Sequence, residues 1–270
     1  MLETPIPTVM ILAGQRLGRV DPLASRYGQE HKCLIPMLGR PIIGYVLDAV
    51  DEAFPTAPLV ISINDPGALD GHPEIQRFVD AGRLTVVKSE RNLLESVIAG
   101  SADVEYPLLL TTGDNVLVTA EAYRAFHASA LEQQADGAAM LARKEDVLAE
   151  HPQGQMRFWK FSDGEFSNCN TFWMRNPQAL QMAEIFREGG QFLKFPRRFI
   201  GAFGALNLIG YRLGVLRTST MLDRISRRFG KRIRVQIADR GRFAIDVDDQ
   251  ISYEITEQLL LADGVKPVAK

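Results

Sequence analysis

Cysteine and histidine are scarce in this 270-residue chain, with two of the first and four of the second. Cys33 and Cys169 stand far apart and in no metal-binding spacing, which argues against a zinc site and fits a reducing cytosol. No pair among His31, His72, His127 and His151 has metal or triad spacing, so histidine-based catalysis is not expected, and all four are expected on loops or helix surfaces. No stretch reaches the roughly 20 apolar residues of a membrane span. The start, Met-Leu-Glu-Thr-Pro-Ile-Pro-Thr, has no basic region leading into an apolar run, so no signal peptide is expected and a cytoplasmic location follows. Neither sign of charge dominates, since 31 basic against 33 acidic residues leave a net charge of −2, and bulk nucleic-acid binding is therefore not expected. Repeats and low-complexity segments are absent.

What is present is apolar: 46% of the residues are hydrophobic and 24% charged, enough for one large α/β domain with a sizeable insertion. The first half alternates strand and helix signals. Strands are expected at Thr8–Ala13, Pro58–Ile63, Leu84–Lys88, Tyr106–Thr112 and Gly137–Ala142. Helices are expected at Pro41–Phe54, Pro73–Ala81, Asn92–Ala102 and Ala120–Gln134. The strands are near-continuous apolar runs, as when both faces of a parallel sheet are covered. The expectation is a three-layer, Rossmann-like α/β fold with a mostly parallel central sheet. After about Lys144 the pattern changes. Met156–Phe161 and Glu165–Met174 read as strands about the Ser162-Asp163-Gly164 turn. Helices follow at Pro177–Arg187, Ala205–Leu216 and Ser219–Phe229. Arg232–Ala238 and Arg242–Val247 read as strands about Asp239-Arg240-Gly241, and Gln250–Ala262 as a closing helix. The expected organisation is one domain over 1–270, with 145–231 as an inserted substrate lid.

The most informative stretch runs from Met10 to Pro41. An apolar strand enters a loop holding Gly14, Arg16 and Arg19, and Lys32 follows after further polar residues. A glycine after a strand lets backbone N–H groups approach a phosphate without Cβ interference. Arg16, Arg19 and Lys32 add fixed positive charge, the arginines with a fork suited to phosphate oxygens. Together they point to a triphosphate grip at the first strand of an α/β sheet.

This segment resembles the signature of the MobA-like nucleotidyltransferases, L-A-G-G-x-G-x-R, a variable loop, then P-K-x-L-L-P-x-x-G-x-P. On that resemblance Gly14 matches the first loop glycine, Arg19 the loop arginine and Lys32 the lysine. Leu12, Ala13, Gly14, Gln15 and Arg16 would then form the nucleotide loop. Gln15 and Leu17 stand where further glycines are usual, and His31 replaces the proline before the lysine, which marks a divergent subfamily. The resemblance implies a GT-A-like nucleotidyltransferase fold.

Thr111-Thr112-Gly113-Asp114-Asn115 closes a buried strand, where open α/β sheets bind their ligands. Asp114 there is placed to hold a divalent cation against phosphate oxygens, with Gly113 beside the nucleotide and Asn115 toward the substrate; a turn cap is the plainer alternative. Ala244-Ile245-Asp246-Val247-Asp248-Asp249 crowds three carboxylates that repel unless a cation or solvent offsets them. It resembles the family's terminal D-I-D-T-P-E-D motif, which implies Asp248 as the magnesium ligand and Asp246 as second choice. The alternative is a helix N-cap by Asp248 or Asp249. The Glu90–Val97 segment is similar to the family's N-x-x-x-S-V region at the base pocket. Asn92 and Ser96, one helical turn apart, would line it, unless Asn92 is an ordinary N-cap and Ser96 faces solvent. Ser167–Thr171 resembles the substrate-side S-G-x-N region, with Asn170 matching the asparagine; a simple core strand is the alternative. Cys169 reads as a small buried hydrophobe.

The resemblance implies attack of a phosphorylated small-molecule acceptor (sugar, polyol or lipid phosphate) on the α-phosphate of a nucleoside triphosphate, releasing pyrophosphate. Asp114 and Asp248 would hold Mg2+ or Mn2+, and Arg19 and Lys32 would stabilise triphosphate charge. The base region resembles the pyrimidine-using members, so CTP or UTP is favoured. Two alternatives stay open: a GT-A glycosyltransferase using a nucleotide sugar, and a non-catalytic nucleotide-binding protein. The basic cluster Arg224–Arg232 reads first as a solvated helix end. With the apolar run Phe199–Gly210 it also admits peripheral contact with a membrane-bound lipid phosphate, although a core or homodimer-interface helix is preferred for that run.

Overall fold

The apolar runs of the first half become strands of one sheet. The computed structural model describes residues 4–15, 18, 20–186 and 196–268. In chain order the first elements are β1 (Thr8–Leu12), α1 (Pro22–Arg26), a small hairpin of β2 (Pro36–Met37) and β3 (Arg40–Pro41), α2 (Ile42–Ala53), β4 (Leu59–Ile63), α3 (Pro73–Asp80) and β5 (Leu84–Lys88). There follow α4 (Leu93–Gly100), β6 (Leu108–Thr112), α5 (Ala120–Glu132), β7 (Gly137–Arg143) and α6 (Lys144–Glu150). The last part holds β8 (Trp159–Phe161), β9 (Gly164–Met174), α7 (Pro196–Phe203), α8 (Ala205–Arg212), α9 (Thr218–Phe229), β10 (Ile233–Ile237) and α10 (Gln250–Ala262).

The strand order is β10-β7-β9-β6-β1-β4-β5, with β8 paired to β9. All pairings along this path are parallel except those of β9, which runs antiparallel to both β6 and β7. β1 is central, and its residues alternate between two cores, as the two-residue period of a strand requires. Val9 and Ile11 join the core under α2 and α5, whereas Met10 packs with Leu94, Val97, Leu108 and Leu110 under α4. The sheet is thus covered on both faces, which explains the unbroken apolar runs. The result is the expected mixed α/β fold with a mostly parallel sheet.

Several expectations need correction. The Arg242–Val247 strand is instead a 3-10 turn at Gly241–Ala244 leading into extended chain. β10 lies parallel to β7 and so does not turn back on itself as a hairpin. A side chain at Gly241 would collide with the backbone of Asp146 and Val147, so the chain is pressed onto α6. There Arg242, only 7% exposed, donates to Glu150 and to Asp263, both at 2.6 Å. The helix expected at Pro177–Arg187 is a 3-10 helix over Pro177–Phe186, and Arg187 lies outside the described residues. The segment 145–231 is not one insertion, because β9 within it is an interior strand of the sheet.

The histidines also differ from expectation. His127 is buried, accepting at Nδ1 from Trp173 Nε1 at 3.0 Å, so that its Nε2 donates to the Pro5 carbonyl at 2.8 Å. Burial holds its pKa below the usual histidine value, and the ring ties α5 to β9. His31 is buried as well.

Arg242 anchors the chain just before the terminal aspartates. Arg242→Ala leaves Glu150 without its guanidinium and should cost about 3 kcal/mol, near the low end for a buried pair because Asp263 is half-exposed. Chemical denaturation measures it, and a loss under about 1 kcal/mol would show that the pair anchors nothing.

Candidate active site

Three separate stretches of chain meet at one ammonium group. Lys32 opens a 3-10 turn over Lys32–Leu34. Asp114 follows the C-terminal end of β6, and Asp248 stands two residues before α10. Lys32 Nζ donates to Asp248 Oδ1 at 2.7 Å and forms a shorter ion pair with Asp114 Oδ2. Burial alone would push the Lys32 ammonium down, but the charges and hydrogen bonds of Asp114 and Asp248 outweigh it and raise its pKa above the usual lysine range. The backbone holds this junction closed, since Val247 N–H donates to the Asp114 carbonyl at 3.2 Å.

The crowded terminal carboxylates divide their tasks. Asp249 is the N-cap of α10 and forms a capping box with Ser252. That leaves Asp248 to face Lys32. Asp246 lies behind them, where its Oδ2 accepts from Asn170 Nδ2 at 2.9 Å. Burial, and then the charges of Asp114 and Asp248, raise the Asp246 carboxyl to about 7. Asn170 takes a left-handed conformation with φ of 49°, which asparagine tolerates better than most residues. Its own N–H donates to Asn168 Oδ1 at 3.2 Å, and Asn168 Nδ2 donates back to its Oδ1 at 3.1 Å.

Asp114 and Asp248 open onto a cavity of about 440 Å3. Leu12, Ala13, Gly14 and Gln15 form one wall, Thr112, Gly113 and Asp114 another, and Lys32, Cys33 and Asp248 line it as well. Gly14 is required by close approach, because a Cβ there would meet the Ser89 Cβ at 2.9 Å. Gln15 departs from a free phosphate cradle. Its backbone N–H donates to Asn64 Oδ1 at 2.6 Å, Asn64 Nδ2 donates back to its carbonyl at 2.9 Å, and its side chain reaches the Glu30 carbonyl at 2.7 Å. The loop is therefore held by side chains where a glycine-rich loop would be held by its own turn. Arg16 and Arg19 lie outside the described residues. Burial and the Asp114 charge push the Cys33 thiol up to about 12, so it stays a neutral apolar wall.

Other expected residues sit apart from the cavity. Asn92 caps α4, accepting from Glu95 N–H at 2.9 Å. Ser96 does not face solvent; it is 5% exposed, accepts from Glu90 N–H at 2.8 Å and donates to the Asn92 carbonyl at 3.0 Å. The two shape the loop, and from that helix the cavity wall is Leu93. Asn115 does not point toward a substrate. It is 1% exposed and its amide donates to the Cys169 carbonyl at 2.7 Å, locking the turn after Asp114 onto β9. Sequence reasoning missed Asn64, Ser89 and the Val20-Asp21-Pro22 wall. Asp21 before Pro22 was a readable signal, an N-cap followed by proline in the first helical position.

Asp114, Asp246 and Asp248 each offer an oxygen, and these lie within 4.8 Å of one another. Asp114 Oδ1 is buried with no hydrogen-bond partner among the described residues. An all-carboxylate oxygen set beside a phosphate-sized cavity suits a hard divalent cation such as Mg2+ or Mn2+. Lys32 supplies one positive charge against Asp114 and Asp248, and a divalent ion would favour the ionised form of Asp246 beside them.

Asn115→Ala removes the amide that ties the turn after Asp114 to the Cys169 carbonyl, which keeps only the Thr171 hydroxyl at 3.1 Å, and should destabilise the protein by about 1 kcal/mol. Unchanged stability in chemical denaturation would contradict its structural role.

The family model of the MobA-like NTP transferase domain matches residues 9–224. No curated protein sequence matches the chain. Among solved structures, a hypothetical transferase from Thermus thermophilus is similar at a TM-score of 0.73 and 24% identity, covering 92% of this chain and 100% of that one. A CMP:2-keto-3-deoxy-manno-octonic acid synthetase complexed with CTP has a TM-score of 0.58 at 12% identity, over 96% of this chain and 100% of that one. A putative glucose-1-phosphate thymidylyltransferase from Bacillus anthracis has a TM-score of 0.58 at 13% identity, over 97% of each chain. At these identities the likeness shows the shared fold.

Proposed function

Because the chain belongs to the MobA-like NTP transferase family and is a nucleotidyltransferase, we propose that it transfers the nucleoside monophosphate of CTP or UTP to a phosphorylated small-molecule acceptor. Pyrophosphate is the second product. The observation that carries this reading is the Lys32 ammonium between Asp114 and Asp248 at the edge of the β1-loop cavity. A pyrimidine donor is supported by the base-region resemblance and by the fold neighbour solved with CTP. The acceptor is a sugar, polyol or lipid phosphate.

In this reading the triphosphate lies along Leu12–Gln15 and Gly113. Gly14 seats this wall against Ser89, Lys32 faces the triphosphate charge, and Arg16 and Arg19 would add positive charge from the same loop. A divalent cation held by Asp114 and Asp248, with Asp246 behind, would supply charge neutralisation at the phosphates. The acceptor phosphate is already anionic, so no residue needs to remove a proton from it. Asn170 holds Asp246 in place by its 2.9 Å hydrogen bond. Transfer of this kind needs positioning and preorganised charge more than covalent participation. The segment between β9 and β10 is the part available to act as an acceptor lid.

Lys32→Ala should lower turnover on the order of 10²–10³-fold, the scale of losing one preorganised electrostatic group. Turnover within a few-fold of wild type, followed by pyrophosphate release, would contradict the role. Donor identity is read by thermal shift against the four ribonucleoside triphosphates with and without Mg2+, since a ligand of the native state raises the melting temperature. A magnesium-dependent shift with CTP or UTP, lost in Asp114→Ala, is the expected result. A shift with a nucleotide sugar alone would favour a glycosyltransferase instead.

A further inference from the structure

The chain's positive charge is gathered in one segment. Residues 196–232 hold nine of the 31 lysines and arginines but only one acidic residue, Asp223, although the chain as a whole carries −2. The same segment displays large aliphatic side chains to solvent. Leu206 is 68% exposed, Ile209 54%, Leu213 70% and Val215 66%, and Ile200 on α7 is 40% exposed.

The packing of α8 explains this display. Its inner face is held by Asn207, fully buried, which donates to the Phe203 carbonyl at 2.8 Å and accepts from Arg224 at 2.8 Å. Four residues on, Tyr211 sits edge-on to Trp159 and Phe161 and takes the Lys160 N–H at 3.2 Å. With Asn207 and Tyr211 turned inward, Leu206, Ile209 and Leu213 share the opposite side at helical spacing. Arg212 and Arg217 are exposed within and just after this apolar row, and Arg228 reaches the Ile200 carbonyl at 3.2 Å beside the α7–α8 junction.

We propose that the α7–α8 face, from Ile200 to Arg217, docks on an anionic lipid surface. Exposed aliphatic side chains rimmed by arginines match the boundary of such a bilayer, where apolar groups enter the acyl edge and cations stay with the headgroups. The charge fits this occupant better than a second copy, since two such faces would bring like charges together. A polyanion without an apolar layer would leave the leucines unmatched. Among the described residues no helix is long and apolar enough to cross a membrane, so the contact is peripheral. Docking would orient the nucleotide site as well. Phe161 packs on Phe166, and Phe166 lies four residues along β9 from Asn170, about 13 Å at the rise of a strand.

The test is cosedimentation of the full chain with extruded phosphatidylcholine vesicles, with and without phosphatidylglycerol. The expected result is binding only with the anionic lipid, weakened at least about tenfold by Leu206→Glu with Leu213→Glu, and weakened by Arg212→Glu with Arg217→Glu or by high salt. All four positions are exposed, and circular dichroism verifies that the variants fold. Failure to bind phosphatidylglycerol vesicles would overturn the proposal. So would binding that needs the arginines but not the leucines, which signals a simple polyanion. Light scattering that shows a dimer broken by the leucine variant would assign the face to a second copy and overturn it too.

Discussion

An ammonium group between two carboxylates draws this molecule together. Lys32, Asp114 and Asp248 come from the beginning, middle and end of the chain, and the rest of the structure serves to bring their stretches within bonding distance. Left alone, Asp114, Asp246 and Asp248 would repel one another. Lys32 offsets part of that repulsion, and Asn170 steadies the aspartate that Lys32 does not bond. The arrangement that lets the folded state tolerate three adjacent acids is the one that, in the proposed function, would take up a cation and phosphates.

The scaffold meets this demand with buried polar contacts placed just behind the site. Asn115 locks the turn after Asp114 to β9, and Arg242 ties the approach to Asp246 onto α6 and the end of α10. Asn64 grips the backbone of Gln15 on both sides. Buried groups satisfied in this way are costly to disturb and hold neighbours in register. Asn64 thereby fixes the backbone at Gln15, where a second glycine is usual in the family. The α7–α8 face is built on a different principle, with polar residues inward and aliphatic residues outward. The proposed lipid contact rests on that outward row of Leu206, Ile209 and Leu213.

Much of this was legible in the sequence, and what was not has physical reasons. β5 falls where its apolar run placed it, and β1, β4 and β6 lie within theirs, because strands covered on both faces leave continuous hydrophobic signals. Lys32, Asp114 and Asp248 stood out as charged residues at strand ends and in motifs. The 241–244 turn was read as a strand because local pattern cannot register the backbone of α6 pressing on Gly241. Asn92 and Ser96 illustrate the limit of face arguments. One turn apart on a helix, they spend their hydrogen bonds on their own loop, and Leu93 between them reaches the cavity. Asn64 and Asp246 gain their importance from partners 49 and 76 residues away, which spacing does not reveal.

In the proposed function the carboxylates around Lys32 hold a divalent cation for a nucleoside triphosphate. Mn2+ titration followed by electron paramagnetic resonance, in the presence of a non-hydrolysable CTP or UTP analogue, measures it directly. The expected result is a nucleotide-dependent Mn2+ site in the wild type that is lost in Asp114→Asn and weakened in Asp246→Asn. Equal Mn2+ binding by wild type and Asp114→Asn would contradict it.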